Sequence, residues 1–564
     1  MFQKYFTLTL SFLLGAILFL LAYELEFFAN NQWILLFVII FFVYFSFLYP
    51  RKAFWFFLVL ISLETVRISP DYFLIDLRPF QVQGIILGVV TMLTVYLSGV
   101  LKKNIGRVDF SFLKVDCFFC RLFGWKFCYQ ESKEDLQERF NPFDRLVFVL
   151  GLVSLFAWQY APVFGVAVRM SGVLFSFLFF YWLVRNFIRT KKEFLEAVWF
   201  LLVGSLPVLF FSFYQLVAFR FGWEAFAVMD ERVNGTFAEP DWLGIYLVFV
   251  LAMFLVIRYL RMNFSKATSG RESLEKLWSD IVQPLENKFL GDVFLLFLVI
   301  VLVATVSRSA WLGGLMVVGV FCLIVWLKGG FGKFVRESLR FALLGLMAIL
   351  FLWGTGLSKF HLGNRAISSF SGWQKITVSC QDKGVLVEGE KIESDDILQE
   401  KKCRHINLEE INSEKQKNKV VLEVYRPDPN VTIRKNIYQK TFLEIKKHWL
   451  FGVGLGGSSF YLGNDNLGHG LNASNIFLEI FWSLGLVGFL PFFLIFLTPF
   501  VFGLRLLQIK SGRYAFFDEE FFGVFALLTF FAFLVPNLFN AGFFLSVFWV
   551  WLALVGGLFK ILKK

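Results

Sequence analysis

Charge is scarce in this chain: Asp, Glu, Lys and Arg make up 17% of its 564 residues, against 57% hydrophobic residues. So little charge excludes an ordinary soluble domain and points to a polytopic membrane protein. A small-x-small cleavage site is missing after the first apolar run, which follows Lys4, so that run reads as a retained anchor rather than a signal peptide. Acidic residues are outnumbered by basic ones, giving a net charge of +12. In a soluble protein that excess would indicate nucleic acid, but here Lys and Arg gather in short loops between apolar runs, where they orient helices. Phenylalanine, by contrast, is plentiful at 78 residues. Facing lipid or packing between helices accounts for most of it.

A spanning helix needs about twenty residues. Apolar segments run roughly over 6–23, 33–49, 54–66, 82–101, 146–160, 164–187, 195–217 and 242–260, then over 290–306, 311–327, 341–356, 485–506, 521–535 and 544–562. The expected fold is all-α, a polytopic integral membrane protein with about 12–14 transmembrane helices. Segment 54–66 is short and is expected to be tilted or partly interfacial. Basic residues assign the sides. Arg51-Lys52, Lys102-Lys103, Arg185 to Lys192, Arg258 to Lys288, Lys328 to Arg340 and Lys510 to Arg513 alternate with sparser loops. With the amino terminus inside, all of them and the tail from Lys560 to Lys564 fall in the cytoplasm of a cytoplasmic (inner) membrane protein.

That assignment exports residues 357–474, between helices over 1–356 and closing helices over 475–564. The insertion is too polar to cross and too long for a connector. Its centre, Gln381 to Lys419, lacks helical apolar periodicity and reads as a loosely packed excursion. From Arg434 to Trp449, Ile437, Phe442, Ile445 and Trp449 recur at helical spacing among lysines, which predicts an amphipathic helix on the membrane surface. Cys380 and Cys403 both fall in this insertion and can pair in an oxidising compartment. Cys117, Cys120 and Cys128 lie in an apolar cytoplasmic loop without a fourth zinc ligand, and Cys322 reads as packing within a span.

Four arginines interrupt or border apolar spans, where a cation is costly: Arg169, Arg232, Arg308 and Arg434. The topology puts all four near the outer face, an arrangement suited to holding an anion. Chemistry gathers there in three stretches. Glu231 to Trp242 opens a span, with Pro240, Glu239 and Asp241 suited to a helix amino terminus but Arg232 unexplained by it. Thr305 to Trp311 is a tight turn whose serines satisfy freed backbone groups but whose Arg308 they do not explain. The third stretch includes Gly452-Val453-Gly454, then Asn475 and Glu479 on one helical face, then Gly485 and Gly488, which alone read as helix packing.

At these residues the chain resembles the O-antigen ligase and polymerase superfamily of membrane glycosyltransferases. Arg232 with Gly235-Thr236-Phe237 and Pro240 is similar to the family's Arg-x-x-Gly-Thr-Phe-x-x-Pro-Asn stretch. Ser307-Arg308 resembles its Ser-Arg turn, and Asn475, Gly485 and Gly488 hold the spacing of its final block. Ser474 stands where ligases carry a histidine, and Asp241 where the family has Asn. The resemblance implies transfer of a glycan from a polyprenyl-diphosphate carrier to an acceptor hydroxyl, with inversion. Arg169, Arg232, Arg308 and Arg434, aided by Asn475 and Asp241, would bind the substrate, and the arginines would stabilise the departing diphosphate. Candidates for the general base are Glu239, His469 and Glu479. Because no Asp-x-Asp pair or His/Cys cluster occupies an outer loop, no metal or other cofactor is expected. Partners are the lipid-linked donor, a glycan, lipid or protein acceptor and the bilayer, with no nucleic acid. The competing reading is a lipid-linked oligosaccharide flippase, which needs charge on both sides of the midplane.

Overall fold

The computed structural model describes residues 2–27, 32–69, 77–105, 141–229, 232–262, 288–357, 372–382, 384–393, 396–406, 411–417, 419–427, 429–463, 470–508 and 517–562. It is 75% helical, an all-α polytopic membrane protein with few strands. The described residues separate into two compact units, one comprising Met1–Leu357 with His448–Lys564 and the other Ser358–Lys447.

The first unit is a helical bundle. Its helices are α1 (Phe2–Glu24), α2 (Gln32–Leu48), α3 (Pro50–Leu60), α4 (Pro79–Ile105), α5 (Pro142–Phe156), α6 (Phe164–Phe187), α7 (Lys191–Phe221), α8 (Pro240–Met262), α9 (Lys288–Ala304), α10 (Arg308–Gly329) and α11 (Phe331–Thr355). After the second unit come α15 (Ser458–Leu462), α16 (Ile476–Gln508), α17 (Phe517–Asn537) and α18 (Ser546–Ile561). Among the described residues, nine helices are long and apolar enough to cross a membrane, and four shorter apolar ones accompany them. Helix starts follow the local chemistry: Asn141 with Asp144 and Thr190 with Glu193 form capping boxes on α5 and α7. At the far ends of α7 and α11, Gly222 and Gly356 close the helices in the left-handed conformation.

α8 is buried along almost its whole length and packs on α10 and α17, while α18 is buried from Ser546 to Leu558. The segment expected over 54–66 differs from the reading above. It forms the 11-residue α3, in which every residue from Ala53 to Leu60 is buried. It packs against α7, where Gly204 lies against the Val59 backbone.

The charges near the basic loops are paired. Asp144 accepts from Arg185 Nη2 at 2.8 Å and from Tyr181, while Glu337 binds Arg258 at 2.6 Å. Arg340 reaches Asp292, and Tyr259 and Lys328 meet Glu520. Each of these charges meets one of opposite sign, the condition under which an apolar surrounding tolerates it.

The second unit holds a three-stranded antiparallel sheet in the order β2–β1–β3: β1 is Trp373–Cys380, β2 Cys403–His405 and β3 Val420–Pro427. Short helices α12 (Asp396–Glu400) and α13 (Ile411–Gln416) lie between strands, and α14 (Pro429–Lys447) follows. Ile376, Val378, Cys380, Leu386, Ile392, Leu398, Cys403 and Val424 form its core. The described part of Gln381 to Lys419 is therefore folded, because its scattered apolar residues meet through strand pairing that no local periodicity reveals. Cys380 and Cys403 face each other across β1 and β2 and are disulfide-bonded, with Cα atoms 4.1 Å apart. Cys322 is free and buried. Cys117, Cys120 and Cys128 fall outside the described residues. In α14 the apolar set divides: Ile437 and Ile445 are buried with Thr441 on one face, whereas Phe442 is 54% exposed. The helix ends at Lys447, before Trp449.

Candidate active site at one end of the bundle

α7 supplies the floor. Gln215, fully buried, accepts hydrogen bonds from the backbone N–H of Asn234 (3.1 Å) and Gly235 (2.8 Å) and donates to Phe226 O and Asn234 Oδ1. Thr236 Oγ1 donates to Ser62 O at 2.6 Å, and Thr65 N–H donates to Thr236 O at 3.0 Å. The loop is thereby pinned on both sides, and Arg232 leaves it in a fixed direction. Its Nε donates to Thr305 O at 3.1 Å, and Nη2 lies 3.5 Å from Asp241 Oδ1. Asp241 sits in the first turn of α8, and the Glu239 carbonyl accepts from Trp242 and Leu243 to start that helix.

Two of the sequence motifs thus meet, since Thr305 precedes Ser307-Arg308 by two residues. Close approach of α8 to α10 holds them together: a Cβ on Gly244 would lie 2.5 Å from Ala310 Cβ. Ser307 caps α10, its Oγ accepting from Ala310 N–H, and Val306 before it has φ 53°. For a β-branched residue that conformation is strained, as it is for Ser474, with φ 49°, beside Asn475.

The third motif is built differently from the expectation of simple helix packing at Gly485. There the helix breaks, with φ 61° and ψ −169°. The backbone groups freed by the break pair with the Gly452-Val453-Gly454 segment. Val453 and Gly454 N–H donate to Trp482 and Ser483 carbonyls, and Leu486 and Val487 N–H donate to Trp449 and Leu450 carbonyls. Asn475 caps the first half of α16 through Oδ1, which accepts from Phe477 and Leu478, and its Nδ2 donates to Leu538 O at 2.9 Å. Glu479 is 7% exposed, and its carboxylate accepts from Ser458 Oγ, Ser483 Oγ and Ala473 N–H. Both carboxylate oxygens are thereby engaged by the loop and helix around them.

Arg169 is exposed on α6, one turn beyond Val166 and beside Met170, both of which pack on Gly456. Tyr160 stacks on Phe451 at 5.1 Å just before that helix. Arg434 lies in the second unit, on α14. His469 lies outside the described residues, so of the three candidate bases Glu239, half-buried at the mouth of α8, and Glu479 are the ones placed.

A connection that the sequence reading missed ties these parts together. The turn after α17, Leu538 to Leu545, takes the Asn475 amide on the Leu538 carbonyl, while Asn540 Nδ2 donates to Ser309 Oγ at 2.9 Å. Pro536-Asn537 and Asn540-Ala541-Gly542 within an apolar region were the available turn signal. Residue by residue, Arg232, Arg308 and Asn475 therefore belong to one hydrogen-bonded end of the bundle, with Arg169 on the helix packed against its glycine loop.

No curated protein matches the chain. Residues 293–493, from α9 through the break in α16, match the family model described as O-Antigen ligase (Wzy_C). Over that stretch the chain is similar to the O-antigen ligase family, and the Ser307-Arg308 turn, Asn475 and the Gly485 break all fall within the matched residues.

Proposed function

We propose that the protein is a membrane glycosyltransferase that moves a glycan from a polyprenyl-diphosphate carrier to an acceptor hydroxyl at the outer face of the cytoplasmic membrane, with both termini in the cytoplasm. The observation that carries this reading is the bond from Arg232 Nε to Thr305 O, which holds one guanidinium beside the turn that bears another. Two guanidinium groups at the border of an apolar bundle suit a lipid-borne diphosphate, whose oxygens they meet in a forked geometry.

In the reaction the acceptor oxygen bonds to the anomeric carbon as the bond from that carbon to the diphosphate oxygen breaks, and the centre inverts. Negative charge grows on the departing diphosphate, where Arg232 and Arg308 stabilise it, with Arg169 as a further cation. The acceptor proton passes to Glu239 or His469. Glu479 instead holds Ala473 and Ser458 in place, and Asp241 orients Arg232.

The test is transfer by purified protein in proteoliposomes supplied with a polyprenyl-diphosphate glycan and candidate acceptors. Arg232→Lys and Arg308→Lys are expected to abolish product while the protein stays inserted, because lysine cannot reproduce the fork. Transfer is expected to survive EDTA, since guanidinium groups supply the positive charge. Native-level transfer by either variant refutes the reading, and movement of the lipid without product identifies a flippase instead.

A further inference from the structure

An ion pair with one fully buried member lies in the segment that holds the loop of Arg232. Glu64, 1% exposed, follows the end of α3, and Arg78 precedes α4. Arg78 Nη1 donates to Glu64 Oε1 at 2.6 Å, while Ser546 Oγ, at the start of α18, donates to Oε2 at 2.5 Å. Residues 61–69 and 77–78 are not helical, and their backbone groups find partners locally: Ile68 N–H donates to Leu77 O and Leu77 N–H to Ser69 Oγ. Irregular backbone and a charge buried inside an apolar bundle are costly, and neither is needed merely to join two helices.

What the segment does contact is the loop of the candidate active site. Ser62 and Thr65, two residues before and one after Glu64, hold Thr236 by its hydroxyl and its carbonyl. Thr236 is four residues from Arg232 and five from Asp241. On its other side Glu64 is tied through Ser546 to the helix that follows the Leu538–Leu545 turn, whose Asn540 holds Ser309 beside Arg308. One carboxylate therefore joins the backbone that carries Arg232 to the one that holds Ser309 beside Arg308.

We propose that Glu64 is a positioning residue for glycan transfer: paired with Arg78, it sets the depth and direction of the Arg232 loop relative to the Arg308 turn. This rests on the transferase reading. Glu64 touches no substrate, and its effect passes through Arg232.

A double-mutant cycle in the full-length protein tests the proposal, using Glu64→Gln, Arg232→Lys and their combination. It is read in transfer and in donor binding, the latter as the rise in unfolding temperature produced by polyprenyl diphosphate. Glu64→Gln is expected to lower kcat/KM for the donor about 100-fold, the scale of a displacement of about 1 Å imposed from outside the site. Glu64→Asp, which keeps the charge, should recover part of it. In the Arg232→Lys background Glu64→Gln should weaken donor binding no further. Independent, multiplying losses would show ordinary destabilisation and overturn the proposal, as would unchanged transfer by Glu64→Gln. Should Glu64→Gln fail to fold, Thr236→Val removes only the hydroxyl link to Ser62 and is read through the same cycle with the same criteria. Native transfer and binding by Arg232→Lys would overturn the transferase reading itself and this one with it, whereas multiplying losses overturn this one alone.

Discussion

Replacing Gly485 by alanine tests whether the break in α16 is imposed by backbone contact. A Cβ at this position would lie 2.3 Å from both the carbonyl carbon and oxygen of Leu450 and 2.5 Å from Phe451 N. None of these atoms belongs to a flexible side chain, so the whole segment must retreat. The backbone, at φ 61° and ψ −169°, is also in a region that L residues avoid, at a cost of about 1–3 kcal/mol. Retreat loosens the bonds from Leu486 and Val487 to Trp449 and Leu450, about 1 kcal/mol net for each. Together the loss is about 3–5 kcal/mol, or between two and about three and a half decades in the folding equilibrium. Gly319 in α10 provides the contrast, because a Cβ there meets nothing within 4 Å and helical alanine is favoured by about 1 kcal/mol. Unfolding in mixed micelles, followed by tryptophan fluorescence, should show Gly485→Ala strongly destabilised and Gly319→Ala unchanged or stabilised. Equal stability of the two variants would refute the packing argument.

Asn475→Ala removes a helix cap and the bond to Leu538, and should cost about 1–2 kcal/mol by the same unfolding measurement. Breaking the Cys380–Cys403 disulfide, 23 residues apart in sequence, by paired Ser substitutions should destabilise the sheet unit by about 3 kcal/mol, read as faster amide exchange in β1; unchanged exchange would count against it. Hydrogen bonds from Lys419, Lys417 and Ser379 hold the Glu414 carboxyl well below its ordinary value of 4.5. A depressed carboxylate stabilises fully above its unfolded value and loses that contribution as pH falls below it. Exchange in β1 and β3 should therefore accelerate below about pH 4.5 in the native protein but much less in Glu414→Gln.

Spans were legible in the sequence because a lipid-facing or buried helix is apolar all round, and composition alone marks it. The burial of α3 was not legible, because the α7 residues that cover it lie some 140 residues away in sequence. Arg232 and Arg308 stood out because each is costly where it lies, but their link through Thr305 joins positions 73 residues apart. The role of Gly485 was not legible, since a glycine in an apolar run looks the same whether it admits a neighbouring helix or a neighbouring loop. The partners of Glu479 were not legible, because only the fold brings Ser458, Ser483 and Ala473 around it. The sheet core escaped notice because its residues alternate only in β1.

The cross-strand cystine has a use beyond rigidity. Thiols join durably in an oxidising compartment and stay reduced in the cytosol, so the oxidation state of this one pair acts as a compass. Mass spectrometry of protein alkylated directly in cells would register a two-dalton deficit if residues 358–447 are translocated. That single reading would orient every helix before and after the insertion.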